Sequence, residues 1–152
     1  MQYFTLRGDE IELDDIRCIS DEDLEHLSNA IINTRSIESI LMNYTISDEQ
    51  FPAISRALQE NRSLRKIDIS ATNLHDKITC FYHVLSRPGA LITILAFFDT
   101  KLTSKDIQLL GEGLKRNNSL TTLDLTCNDF GAEGCMYLSE ALKQHKTIAY
   151  LS

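Results

Sequence analysis

The chain has 152 residues, a formal net charge of -7, 43% apolar and 24% charged side chains. That is enough apolar material for a continuous core and too much for a disordered segment. An acidic chain with no basic stripe cannot displace counterions from nucleic acid or dock on an anionic membrane, so neither is expected as a partner.

At the N-terminus, Tyr3-Phe-Thr-Leu-Arg-Gly8-Asp9-Glu-Ile-Glu-Leu13 alternates on both sides of a Gly-Asp pair. This predicts a hairpin, read as an N-terminal cap over residues 1–13 beside the first strand of the main fold. Met1 to Arg7 has no lysine-rich start leading into a long apolar run, so no secretory signal is read. The longest apolar stretch, Ala90 to Phe98, is too short to cross a bilayer. The expected location is cytoplasmic, or a host cytoplasm reached without a classical signal. The cysteines Cys18, Cys80, Cys127 and Cys135 are read as reduced thiols rather than as a disulfide framework.

A short pattern then recurs along the chain. Ile11-x-Leu13, Ile40-x-Met42, Ile67-x-Ile69, Leu95-x-Phe97 and Leu123-x-Leu125 start 29, 27, 28 and 28 residues apart. Leu151, 28 residues after Leu123, begins a sixth, cut short by the chain end. The fullest copy is Leu120-Thr-Thr-Leu123-Asp-Leu125-Thr-Cys-Asn128, and Thr45, Thr72 and Thr100 take the Asn position in earlier copies. Each copy predicts a strand.

Helices are predicted between the strands. Asp21 to Ile31 aligns with Asp48 to Leu58 position for position at an offset of 27, and Ser104 to Leu114 and Gly134 to Leu142 follow. Their apolar residues recur at i, i+3, i+6 and i+7, one face of a helix. Ser20 with Asp23, Ser47 with Gln50, and Thr103 with Asp106 mark helix starts, and Pro52 fits a first turn. In the middle unit a helix is expected from Asp76 to Ser86, with Ile78, Phe81, Val84 and Leu85 inward, and Arg87-Pro88-Gly89-Ala90 restores the register. Polar links such as Gln59 to Ser63 and Lys115 to Ser119 close the helices.

Strand, turn, helix and return at this period resemble the leucine-rich repeats of the ribonuclease-inhibitor type. These are also found in NOD-like receptors and in Ran GTPase-activating protein. The resemblance covers Ile11 to the C-terminus and implies an α/β solenoid, a right-handed horseshoe segment with parallel strands on its concave face and helices outside. The chain is thus expected to be one domain of about five repeats of 27–29 residues with a truncated sixth. The resemblance implies non-enzymatic binding of a protein.

Alternation along each strand sends the apolar pair inward and the intervening residues to the concave face. The candidate surface is Glu10, Glu12, Asp14 and Asp15; Ser39, Leu41, Asn43 and Tyr44; Lys66, Asp68 and Ser70; Ile94, Ala96, Phe98 and Asp99; Thr122, Asp124 and Thr126; and Tyr150. Leu41, Tyr44, Ile94, Ala96, Phe98 and Tyr150 are apolar or aromatic there, as interface anchors are. The acidic members would steer a basic partner, although acidic residues alone are more often a solvated face. Phe97 and Phe98 are adjacent, so a slip of one residue would exchange their places.

No phosphate-binding glycine motif and no H-E-x-x-H is present, so no cofactor is expected. Cys80-x-x-His83 is a lone pair where structural zinc needs four ligands, and no metal site is expected. Cys127 and Cys135 are read as buried small apolar residues. Other roles are a bacterial effector that binds a host protein, a GTPase activator using Arg17 or Arg65, and an oligomerisation module. The last includes a weak homodimer through an exposed C-terminal strand edge.

Overall fold

The computed structural model describes residues 4–13 and 19–152. The candidates Asp14, Asp15, Arg17 and Cys18, and Tyr3 of the hairpin, lie outside the described residues. Seven strands form one sheet in chain order: β1 (Phe4–Arg7), β2 (Glu10–Leu13), β3 (Ser39–Met42), β4 (Lys66–Ser70), β5 (Ile94–Phe98), β6 (Thr122–Asp124) and β7 (Tyr150–Leu151). The helices α1 (Asp21–Asn33), α2 (Phe51–Glu60), α3 (Thr79–Ser86), α4 (Ser104–Arg116) and α5 (Gly131–Gln144) alternate with the strands from β2 onward. Strands β2 to β7 are parallel, while β1 pairs antiparallel with β2 across the Gly8-Asp9 turn. Gly8 takes a φ of 67°, the conformation a two-residue hairpin loop asks of its first residue.

The expected alternation is realised. Ile11, Ile40, Ile67, Leu95 and Leu123 stand opposite one another across the sheet and are buried, as are Leu13, Met42, Ile69, Phe97 and Leu125. The register places Phe97 inside at 0% exposure and Phe98 outside at 45%. Phe97 meets Phe81 of α3 edge-to-face, with ring centroids 4.6 Å apart. Helix α4 packs closely on both neighbours. A Cβ on Gly113 would stand 3.3 Å from the Tyr82 Cα of α3, and one on Gly111 would stand 3.3 Å from the Ala141 Cβ of α5.

The predicted caps form at two helices: the Ser20 side chain accepts from the Asp23 N–H, and Thr103 with Asp106 makes a reciprocal capping box. Ser47 and Gln50 bond each other in the same way, but regular helix starts only at Phe51, with Pro52 in its first turn. The middle helix departs from expectation. It begins at Thr79 rather than Asp76, because Asp76 takes a left-handed φ of 62° and donates its N–H to the Asp106 Oδ1 of the following repeat. Ile78, Phe81, Val84 and Leu85 are buried as predicted, and Cys80 joins them. Cys127 and Cys135 correct the sequence reading, for both are exposed. Cys127 occupies a left-handed turn position after β6, and Cys135 lines an apolar hollow with Leu125, Phe130, Leu138, Leu142 and Leu151.

The links after the helices are not plain polar connectors. Asn61 and Asn117 are buried there. Asn117 donates to the Leu85 carbonyl of the preceding repeat at 3.1 Å and accepts from the N–H groups of Ser119 and Leu120. Asn61 does the same with Ile31, Ser63 and Leu64. Two residues on, Ser63, Ser119 and Thr147 donate hydroxyls to the carbonyls of Ile37, Ile92 and Leu120, at 2.6–2.7 Å. In the middle unit, Arg87 instead donates to the carbonyls of Gln59 and Asn61. After the strands, Asn128 bonds the Phe97 and Leu125 carbonyls, and Thr72 Oγ1 donates to the Tyr44 carbonyl.

Two measurements test these devices. Asn117→Ala leaves a buried carbonyl and two N–H groups unpaired and should cost about 1–3 kcal/mol in urea unfolding. Ala71 holds a left-handed φ of 54° in the turn after β4. Ala71→Gly should therefore raise the urea midpoint at unchanged slope, a gain in stability of up to about 1 kcal/mol.

Candidate functional site

Parallel strands stack about 4.8 Å apart, whereas packed helices need about 8–10 Å, so the sheet curves with its open face inward. Two rows of side chains cross that concave face. One runs Arg7, Glu10, Ser39, Lys66, Ile94, Thr122 and Tyr150; the other runs Thr5, Glu12, Leu41, Asp68, Ala96 and Asp124. Ser70 and Phe98 stand together in a third row at the strand ends. The sequence-predicted strand residues within the described range therefore share one surface. Most are half-buried by their neighbours, while Phe98 and Tyr150 stand out into solvent.

Asn43, Tyr44, Asp99 and Thr126 fall outside the strands and form a rim. Tyr44 is 45% exposed. Asp99 sits in the left-handed turn after β5, paired with Lys101. Ala71, Asp99 and Cys127 all take positive φ in successive turns, and the N–H groups of Ala71 and Asp99 donate to the carbonyls of Phe98 and Thr126 in the next repeat. The rim is thereby locked to the sheet.

Neighbours orient the carboxylates. Ser39 donates to Glu10 at 3.1 Å and Asn43 to Glu12 at 3.3 Å, while Asp124 accepts the N–H and hydroxyl of Thr126. The cations are fewer: Lys66 pairs with Asp68 at 3.7 Å, and Arg7 with Glu12 at 3.8 Å. Arg7 was not among the sequence-predicted residues, although the two-residue turn opposing it to Glu10 was a signal for it. Burial pushes the Asp68 carboxyl above its ordinary value; Lys66 draws it down, and Asp124 and Glu10 push it up again.

A second cluster appears only in the structure. His75 Nδ1 lies 3.0 Å from Asp106 Oδ2, and His75 Nε2 lies 3.3 Å from Asp76. Burial alone would raise the Asp106 carboxyl. The hydrogen bonds from Thr103, His75 and the Asp76 N–H hold it below its usual value instead. The bond to Asp106 raises the His75 imidazole. These three residues are close enough to present ligand atoms to a cation. However, the Asp106 oxygens already accept from Thr103, His75 and Asp76, so the cluster acts as a clasp between adjacent repeats. Cys80, the other sequence-noted ligand type, is buried with its thiol pushed up to about 11 by desolvation. Arg65 is paired with Glu38 at 3.1 Å. No helix among the described residues is long and apolar enough to cross a membrane.

This architecture is the leucine-rich repeat solenoid. The family described as Leucine Rich repeat matches residues 116–139, spanning the end of α4, β6 and the first part of α5. The chain is 27% identical over 128 residues to mouse NACHT, LRR and PYD domains-containing protein 4C, covering 81% of this chain and 13% of that protein. It is 32% identical over 92 residues to pig ribonuclease inhibitor, covering 60% of this chain and 20% of that protein. The chain thus spans a fifth or less of the length of these relatives. Among solved structures, leiomodin-1 actin-binding site 2 superposes with a TM-score of 0.65 at 20% identity, covering 90% of this chain and 79% of that one. The tropomodulin C-terminal domain of Caenorhabditis elegans gives 0.59 at 19%, covering 90% and 83%. At these identities the likeness concerns the fold.

The raised Asp68 carboxyl makes a signed prediction. Its folded-state value exceeds its unfolded one, so the stability it contributes is fully present in acid and is lost as pH rises through the folded value. Asp68→Asn should therefore stabilise the chain at pH 7 and lose that advantage at pH 3, as read by urea midpoints at the two pH values.

Proposed function

We propose that the chain is a non-catalytic binding module that grips another protein on the concave face of its sheet. The observation that carries this reading is the exposure of Phe98 and Tyr44, each at 45%, on and beside a sheet whose inward aromatic, Phe97, is fully enclosed. Large aromatic side chains held in water by a rigid scaffold bring much apolar area to an interface at little ordering cost. The acidic row beside them favours a partner with basic as well as apolar groups. Likeness to a structure named as an actin-binding site, and to NACHT, LRR and PYD proteins and ribonuclease inhibitor, supports a binding role for this fold.

Affinity capture from a native lysate tests the reading, comparing wild type with Tyr44→Ala plus Phe98→Ala. Both residues are surface-exposed, so the double variant should keep its circular dichroism and thermal midpoint. Recovery of the captured partner should fall at least about ten-fold, in line with the loss of one strong interface anchor. Equal recovery by the folded double variant would overturn the proposal.

A further inference from the structure

Along the second row of the concave face the side chains run Glu12, Leu41, Asp68, Ala96 and Asp124, one from each of five adjacent parallel strands. Acid and apolar residues alternate, so carboxylates recur on every second strand with an aliphatic site between them. Strand spacing sets the scale: neighbouring sites lie about 4.8 Å apart, the carboxylates about 9.6 Å apart, and Glu12 to Asp124 spans about 19 Å. An α-helix laid across the strands rises about 5.4 Å per turn, and residues seven apart return to the same face about 10.5 Å further on. Its turns would meet the sites one by one, with an accumulated mismatch of about 2 Å over fourteen residues that lysine side chains can absorb.

Extended chains do not meet this row. A β-strand presents same-face residues about every 6.7 Å, out of step with both spacings. A polyproline helix has a repeat of about 9.3 Å and can reach the carboxylates, but it offers nothing to Leu41 and Ala96 between them. The charge is only partly answered from within: Glu12 pairs with Arg7 at 3.8 Å and Asp68 with Lys66 at 3.7 Å, both at the long end of an ion pair, while Asp124 accepts from Thr126 and faces no cation among the ion pairs of the described residues.

We infer that the concave face takes an amphipathic basic helix of the partner, lying across the strands with Lys or Arg at i, i+7 and i+14 over Glu12, Asp68 and Asp124 and apolar residues on the intervening turns over Leu41 and Ala96. The inference rests on the concave-face reading above and names the chemistry of its occupant.

Three synthetic peptides test it by fluorescence anisotropy against the full chain. The first is a lactam-locked helix with Lys at positions 1, 8 and 15 and Leu at 4 and 11. The second has the same composition and lock, but its lysines are moved round the helix off the leucine face. The third is a proline-rich peptide with lysine every third residue. The first should bind at least about ten-fold more tightly than either of the others, and more weakly as salt rises. The triple variant Glu12→Gln, Asp68→Asn, Asp124→Asn should abolish that preference, with its fold checked by circular dichroism. Equal binding of the two helices, tighter binding of the proline-rich peptide, or no binding of any would overturn the inference; the wild-type comparison needs no variant to fold. A lysate partner that depends on Tyr44 and Phe98, together with register-blind peptides, would remove the helix and leave the face. Loss of both results would remove both proposals.

Discussion

The line of aliphatic side chains Ile11, Ile40, Ile67, Leu95 and Leu123 is the contact on which everything else rests. Each comes from a different repeat, and each is buried only because its neighbours stand on either side. A repeat alone has one strand and one helix and cannot cover its own apolar face, so stability accumulates across interfaces between repeats. Once this line is in register, the opposite faces of the same strands are also in register. The acid–apolar alternation on the concave side is a direct consequence of the packing on the other.

Polar groups make that stacking specific. Asn61 and Asn117 lie buried at equivalent links, each joining the carbonyl of one repeat to the N–H groups that begin the next strand. The hydroxyls of Ser63, Ser119 and Thr147 add a parallel set of bonds. Displacement of one repeat against the next would leave these groups unpaired in a dry interior, at a cost that aliphatic packing alone does not impose. The middle unit reaches the same end differently. There Arg87 caps two carbonyls of the preceding link, and the clasp of His75, Asp76 and Asp106 ties the start of its shortened helix to α4.

The concave face combines this rigidity with groups whose placement the core does not require. Phe98 sits next to the enclosed Phe97 yet faces water, and Asp68 carries a carboxylate that its surroundings disfavour. Ala71, Asp99 and Cys127 hold the rim through left-handed turns that non-glycine residues adopt at some cost.

The repeat period, the strand faces, the hairpin over Gly8-Asp9 and the capping boxes could be read directly from the residues, because each depends on local alternation or spacing. So could the membership of the concave face, since period-two geometry assigns Glu12, Leu41, Asp68, Ala96 and Asp124 to one side once the strands are placed. Other features needed the folded chain. The late start of α3 follows from an Asp76 bond to a residue thirty positions away, and the burial of Asn61 and Asn117 from carbonyls contributed by the preceding repeat. The choice between Phe97 and Phe98 was settled when Phe81 filled the space beneath one of them. Arg7 came within reach of Glu12 in the acidic row because the hairpin sets it beside Glu10 on the same face. The sequence by itself determined which residues repeat and which face each takes. The tertiary structure decided which polar groups are buried, which cysteines are exposed and how charges pair between repeats, because those outcomes depend on atoms a full repeat away that no local spacing specifies.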